Sequence, residues 1–187
     1  MKDEKRTRKE QLLSKELAQQ VLNLDLSREL TAEQVDTLFP PLNAFNQIVY
    51  DFVIKYHKYL FRSRSYFEKY TFTMVEVHVL QDIGNAPGIT AGELAVKWDR
   101  TAASMSQIIR KLEGQGLLSR EADEKDRKYF HLFLTPAGRE VDDAHRRFDI
   151  RSIIGTNQKL LEQFTVEEIL SCRDVLAAYG ELIDQEK

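Results

Sequence analysis

The chain has 187 residues, 42% of them hydrophobic and 30% charged, with a net charge of -3. That length bounds it to one domain, or a small domain with helical additions, and its apolar content suffices for a sizeable core. There is no apolar run long enough for a bilayer, no signal-peptide core in the first twenty residues, and a single cysteine, Cys172, so the expectation is a reduced, cytoplasmic protein without an internal disulfide.

Residues 2 to 25 are charged, with Leu13, Leu17, Val21 and Leu24 near helical spacing, which predicts an amphipathic helix frayed at its start. Thr31-Ala32-Glu33-Gln34 has capping-box form and predicts a short helix ending before Pro40-Pro41. A long helix is expected from about Leu42 to Phe67, with Phe45, Ile48, Val49, Phe52, Val53, Tyr56, Tyr59 and Leu60 on one stripe. A second box, Thr73-Met74-Val75-Glu76, opens a helix with Val75, Val79, Leu80 and Ile83 inward, and Gly84-Asn85-Ala86-Pro87-Gly88 ends it. A third, Thr90-Ala91-Gly92-Glu93, opens a short helix to about Trp98.

After the turn Asp99-Arg100, Thr101 is the expected N-cap of a helix to Gln115. Met105, Ile108, Ile109 and Leu112 follow i, i+3, i+4, i+7 and should pack inward. Ala102, Ala103, Ser104, Ser106, Gln107, Arg110 and Lys111 are left outward, and Gly114 and Gly116 stop the helix. Leu117 to Ala122 and Tyr129 to Leu134 then read as two strands joined by the charged tip Asp123-Glu124-Lys125-Asp126-Arg127-Lys128. Thr135-Pro136 caps a helix from Ala137 to about Asn157, and Thr165-Val166-Glu167-Glu168 opens a last helix to about Asp184.

Three helices followed by a hairpin form the order of a winged helix-turn-helix, whose third helix enters a DNA major groove while the hairpin reaches an adjacent minor groove. The fold class expected is mainly α (α+β), a winged lobe with a two-stranded wing plus N- and C-terminal dimerisation helices. The divisions are residues 1-41 as an N-terminal extension, 42-70 as a dimerisation and linker helix, 71-137 as the DNA-binding lobe and 138-187 as C-terminal dimerisation helices. Net acidity does not oppose this. Lys55 to Lys69 holds five basic residues against Glu68, a net of +4, whereas Glu162 to Lys187 has a net of -5.

Arg110 and Gln107 project from one side of the third helix, where Arg suits guanine O6/N7 and Gln suits adenine N6/N7; the bland alternative is a solvated face. Thr101, Ser104 and Ser106 offer hydroxyls to phosphate or base edges, Ala102 and Ala103 permit close approach, and Arg100 and Lys111 suit phosphates. Arg127 is the sharpest candidate, placed near the tip to enter a narrow minor groove with Asp126 orienting it and Lys128 beside it. An ordinary charged loop is the competing reading there. Tyr56, His57, Arg64 and Phe67 are candidates to line a pocket for a small molecule, although aromatics at helical spacing are more often core. Trp98 is read as packing and Cys172 as a buried thiol. His57, His78, His131 and His145 show no ligand spacing and propose no metal site or cofactor. Enzymatic motifs are absent: no Gly-rich phosphate loop, no Gly-x-Ser-x-Gly, no Cys/His pair.

The stretches Ile89 to Ala95, Lys111 to Leu118, Asp126-Arg127-Lys128 and Leu132 to Gly138 together resemble the multiple-antibiotic-resistance-regulator (MarR) family. The resemblance covers roughly residues 42 to 185 and is sharpest from Thr90 to Gly138. The family's wing commonly reads Asp-Arg-Arg; Lys128 keeps the charge but loses bidentate geometry. The resemblance implies a homodimeric, non-enzymatic DNA-binding transcription regulator. It would usually be a repressor on a pseudo-palindromic operator, relieved by a small, often phenolic, effector. A winged-helix protein-interaction module is the alternative, since fold alone does not fix function. The extension to about Pro41 is longer than usual. It reads either as added dimer interface, from Leu13, Leu17, Val21 and Leu24, or as a basic arm on DNA, from Lys5, Arg6, Arg8 and Lys9.

Overall fold

The computed structural model describes residues 14-67, 70-122 and 130-185, the side chains of Tyr66 and Phe67 aside. Its elements are α1 (Lys15–Leu22), α2 (Ala32–Phe61), β1 (Arg64–Phe67), β2 (Tyr70–Phe72), α3 (Met74–Asn85), α4 (Ala91–Lys97), α5 (Ala102–Gly114), β3 (Leu118–Ala122), β4 (Phe130–Leu134), α6 (Pro136–Leu161) and α7 (Val166–Gln185). The chain divides into two compact units, one ending at Arg62 and the other starting at Ser63. Among the described residues no helix is long and apolar enough to cross a membrane.

The Thr-x-x-Glu/Gln spacing forms its reciprocal pair of bonds at all four positions. Thr31 Oγ1 accepts from Gln34 N at 3.2 Å while Gln34 Oε1 accepts from Thr31 N at 2.8 Å. Thr73 with Glu76, Thr90 with Glu93 and Thr165 with Glu168 repeat the arrangement. Each box supplies acceptors for donors that a helix start leaves open, so the pattern acts locally and survives any packing. The bonds from Thr90 hold the Glu93 carboxyl below its ordinary range.

Two expectations fail in the first unit. The break at Pro40-Pro41 does not form: α2 runs continuously through both prolines. Their fixed φ is helical, and the carbonyls that lose donors, those of Asp36 and Thr37, belong to exposed residues that water reaches. The long helix also stops at Phe61, not Phe67, because residues 64 to 67 pair antiparallel with β2, Arg64 opposite Phe72 and Ser65 opposite Thr71. Aromatic, β-prone residues at 66, 67, 70 and 72 fit both periods, and the pairing settles the choice. The stripe along α2 is not a core of this chain. Phe45, Ile48, Phe52, Val53 and Tyr56 are between 41% and 56% exposed, with Phe52, Tyr56 and Tyr59 stacked at 5.6 and 5.8 Å along the helix.

The core lies in the second unit. Val77, Val79, Leu80 and Ile83 of α3, Leu94 of α4, Met105, Ile109 and Leu112 of α5, Leu117, Leu132 of β4 and Val141 of α6 are buried to 1% exposure or less. Ile108 is only half-buried, at the edge of the α5 stripe. Strand β3 pairs antiparallel with β4 from Leu118 opposite Leu134 to Ala122 opposite Phe130. Strand β4 is also stitched to the loop between α3 and α4: Gly88 N donates to Leu132 O, Leu132 N donates to Ile89 O, and His131 Nδ1 lies 2.7 Å from Gly88 O. Helix α7 buries none of its residues, and Cys172 on it is exposed, contrary to the buried thiol expected. Of the apolar neighbours that suggested burial, Leu170 and Val175 are themselves exposed and Ile169 is half-buried in the single chain.

Candidate nucleic-acid interface

The turn between α4 and α5 is built before any ligand enters. Asp99 holds φ at +45°, while Arg100 N donates to Ala95 O at 2.9 Å and Asp99 N to Val96 O at 3.2 Å. These are the paired bonds of a Schellman stop, with Asp in place of the usual glycine. Trp98, half-buried, donates from its indole to Asp82 Oδ2 at 2.9 Å, and Lys97 Nζ meets the other oxygen at 2.7 Å. Asp82 thereby holds the end of α4 against α3.

Thr101 then caps α5, its hydroxyl accepting from Ser104 N at 3.2 Å. Ala102, Ala103, Gln107 and Arg110 are exposed, and positions 103, 107 and 110 fall on one face. Arg110 Nε donates to Ser106 O at 3.2 Å, which lays the guanidinium stem along the helix beside Gln107. The two serines are less available than their outward positions suggest. Ser104 is half-buried and accepts from Arg100 at 3.1 Å; Ser106 is half-buried in a recess with Thr90, Gly92, Arg120 and Phe130.

Lys111 is tied down. Its ammonium lies 2.8 and 2.7 Å from the two oxygens of Glu76 and 5.9 Å from the centre of the Phe72 ring. Glu76 is the residue that closes the α3 capping box, so one carboxylate fixes the start of α3 and the flank of α5 together. At its other end α5 finishes in a second Schellman pair, Leu117 N to Leu112 O and Gly116 N to Glu113 O, with Gly116 at φ +74°. Glu113 pairs with Arg120 of β3 at 2.6 Å. The wing residues Asp126, Arg127 and Lys128 lie outside the described residues.

The effector candidates are divided between the two units. Tyr56 and His57 sit on α2, His57 with its ring 4.6 Å from Phe61, while Arg64 is half-buried in β1 and Phe67 ends that strand.

A cluster that spacing did not suggest lies where α3 meets α6. His78 Nε2 and His145 Nε2 each lie 3.3 Å from Asp149 Oδ2. The imidazole side chains are 33% and 0% exposed and the carboxylate 20%. Burial pushes the His145 imidazole below its ordinary range against the pull of Asp149. The one signal in sequence was His145 and Asp149 at i, i+4; His78 is remote and its approach is a property of the fold. Nearby, Asp142, buried, accepts from Arg146 at 3.0 Å, and Arg146 reaches Asn85 Oδ1 at 2.7 Å.

Comparison with known proteins agrees with this geometry. The MarR family model matches residues 72–130. The uncharacterized HTH-type transcriptional regulator YhjH of Bacillus subtilis is 34% identical over 101 residues, 52% of this chain and 55% of that protein. The chain thus spans about half the length of that relative. In fold, the chain is similar to Streptococcus pneumoniae FabT, solved in complex with DNA, at TM-score 0.58 and 23% identity over 80% of this chain and 99% of that one. It is likewise similar to Lactococcus lactis ZitR, described as a zinc-responsive MarR family member, at TM-score 0.59 and 18% identity over 75% and 97%. Residues 72 to 130, the stretch that holds α3, α4, α5 and β3, are the part of this chain that is similar to the MarR family.

Proposed function

We propose that the chain is a sequence-specific DNA-binding transcription regulator, a repressor acting as a homodimer on a pseudo-palindromic operator. The observation that carries this is the exposed face of α5, where Ala103, Gln107 and Arg110 stand clear between two Schellman stops. Small residues admit close approach to base edges, and Gln107 and Arg110 supply the donors and acceptors that read adenine and guanine. Arg100, Thr101, Ser104, Ser106 and Lys111 flank that face as backbone-positioning contacts. Asp126, Arg127 and Lys128 extend the contact to the minor groove.

The partner copy is argued from exposure. Ile153, Ile154 and Leu161 of α6 and Val175, Leu176, Leu182 and Ile183 of α7 are 49% to 57% exposed in the single chain, and the α2 stripe is exposed too. Apolar faces this extensive on terminal helices fit burial against a second copy. Residues 14-38 of the extension, with Leu22, Leu26 and Val35 exposed, belong to that interface in this reading. Relief by a small aromatic effector is part of this reading, with Tyr56 and His57 of α2 as its candidate contacts in the first unit.

The test is fluorescence anisotropy on duplex from upstream of the protein's own gene, across salt, for wild type, Arg110→Ala and Arg127→Ala, with sedimentation to count subunits. Affinity should fall steeply with salt, and each substitution should weaken it about tenfold to a hundredfold. A folded dimer with no affinity for this duplex or for random genomic DNA at low salt would favour the protein-interaction module.

A further inference from the structure

We infer that Glu113 competes with DNA phosphate for Arg120, an internal counter-charge that holds down the affinity of the α5 face for any duplex. This inference rests on the regulator reading. Glu113 is the one acidic residue of α5, and it stands on the side that this reading turns toward the groove: positions 103, 106, 110 and 113 follow i, i+3, i+7, i+10. A duplex carries one negative charge roughly every 1.7 Å of its axis, so a carboxylate on that stripe opposes approach. The helix itself does not favour it there either, since Glu113 lies in the last turn, where the dipole prefers cations.

What holds the charge in place is Arg120. Its Nη2 lies 2.6 Å from Glu113 Oε2, with the side chains 32% and 38% exposed, so the pair is tight yet open to a competing anion. Arg120 sits opposite Leu132 in the β3–β4 pair and borders the recess that Ser106 of α5 lines. The guanidinium therefore stands beside the stripe through positions 106 and 110. Its planar fork suits a phosphate, and the Glu113 carboxylate occupies it first. Lys111 is answered in the same way by Glu76, at 2.8 and 2.7 Å. The face then depends on base contacts, which discriminate, more than on phosphate contacts, which do not. Binding to unrelated duplex is weakened as a result.

The test is fluorescence anisotropy of the full chain across salt on two duplexes, one from upstream of its own gene and one of random sequence. Variants are Glu113→Gln, Arg120→Gln and the two combined. Glu140→Gln, the same charge change at an exposed position of α6, is the control, and circular dichroism checks folding. Glu113→Gln keeps an acceptor beside Arg120 but frees its charge. It should tighten binding to both duplexes about threefold to tenfold and steepen the fall of log affinity with log salt by about one, a single added phosphate contact. The combined variant and the control should keep the wild-type slope. Arg120→Gln should keep it as well, because that cation is already neutralised. Unchanged binding by folded Glu113→Gln, or a gain without a steeper slope, overturns the inference. So does a control that steepens equally. Weaker binding also overturns it and, if confined to the own-gene duplex, makes Glu113 a reader of cytosine. If Glu113→Gln does not fold, a slope reduced by about one in Arg120→Gln overturns the inference, since Arg120 would then already meet phosphate. A wild type that binds neither duplex at low salt defeats the regulator reading, and the inference falls with it.

Discussion

Replacing Gly138 by alanine tests how closely α6 must approach the wing. A Cβ built there lies 2.1 Å from Leu117 O, 3.1 Å from Leu117 C and 3.4 Å from Leu134 Cδ2. Ordinary contact begins near 3.4 Å, so α6 and the Leu117 backbone leading into β3 must part by about 1.3 Å. The same carbonyl accepts from Thr135 N at 3.0 Å, and Thr135 Oγ1 donates to Gly116 O at 2.7 Å. Parting α6 from β3 strains both bonds, at about 1 kcal/mol each, and overpacking adds about 1–3 kcal/mol. Alanine's helix preference returns about 1 kcal/mol. The net is a loss of roughly 3 kcal/mol, or about 6 to 12 °C in Tm for a chain of this size. Gly114→Ala is the control of opposite sign, because nothing lies within 4 Å of its Cβ and only the helix preference acts, a gain of up to about 1 kcal/mol. Denaturant unfolding at fixed protein concentration, followed by circular dichroism and Trp98 emission, measures both. A Gly138→Ala protein as stable as wild type would refute the reasoning, since it would mean that the gap between α6 and β3 opens at no cost.

Asp99→Val should destabilise by about 1–2 kcal/mol because a β-branched residue meets φ +45°, whereas Asp99→Gly should be neutral or stabilising; equal unfolding midpoints for the two variants would contradict this. Asp82→Ala removes the acceptor of both the Trp98 indole and Lys97 and should cost about 1–3 kcal/mol with a shift in Trp98 emission; an unchanged spectrum would show that the indole is held by packing alone.

Features that act within four residues were readable from the chain. The capping boxes at Thr31, Thr73, Thr90 and Thr165 and the α5 stripe through Met105, Ile109 and Leu112 needed only local bonding and period. Pro40-Pro41 misled because the rule prices a lost donor as if the carbonyl were stranded, and exposure at Asp36 and Thr37 removes that cost. Residues 64 to 67 misled because a short aromatic run satisfies helix and strand alike until β2 supplies a partner. The pairing of Lys111 with Glu76 depends on how α3 and α5 pack, and no spacing encodes it. The approach of His78 to His145 and Asp149 has the same origin.

The bonds from Gly88, Ile89 and His131 that fasten β4 to the α3–α4 loop make the root of the wing part of the same fabric as the helix-turn-helix. The interval between the exposed face of α5 and the base of the hairpin, where Ala122 faces Phe130, is thereby written into one folded piece, as the jaw width of a calliper is set by its frame. On the regulator reading, a half-site whose length departs from that span must be accommodated by the DNA and not by a shift of the hairpin base against α5.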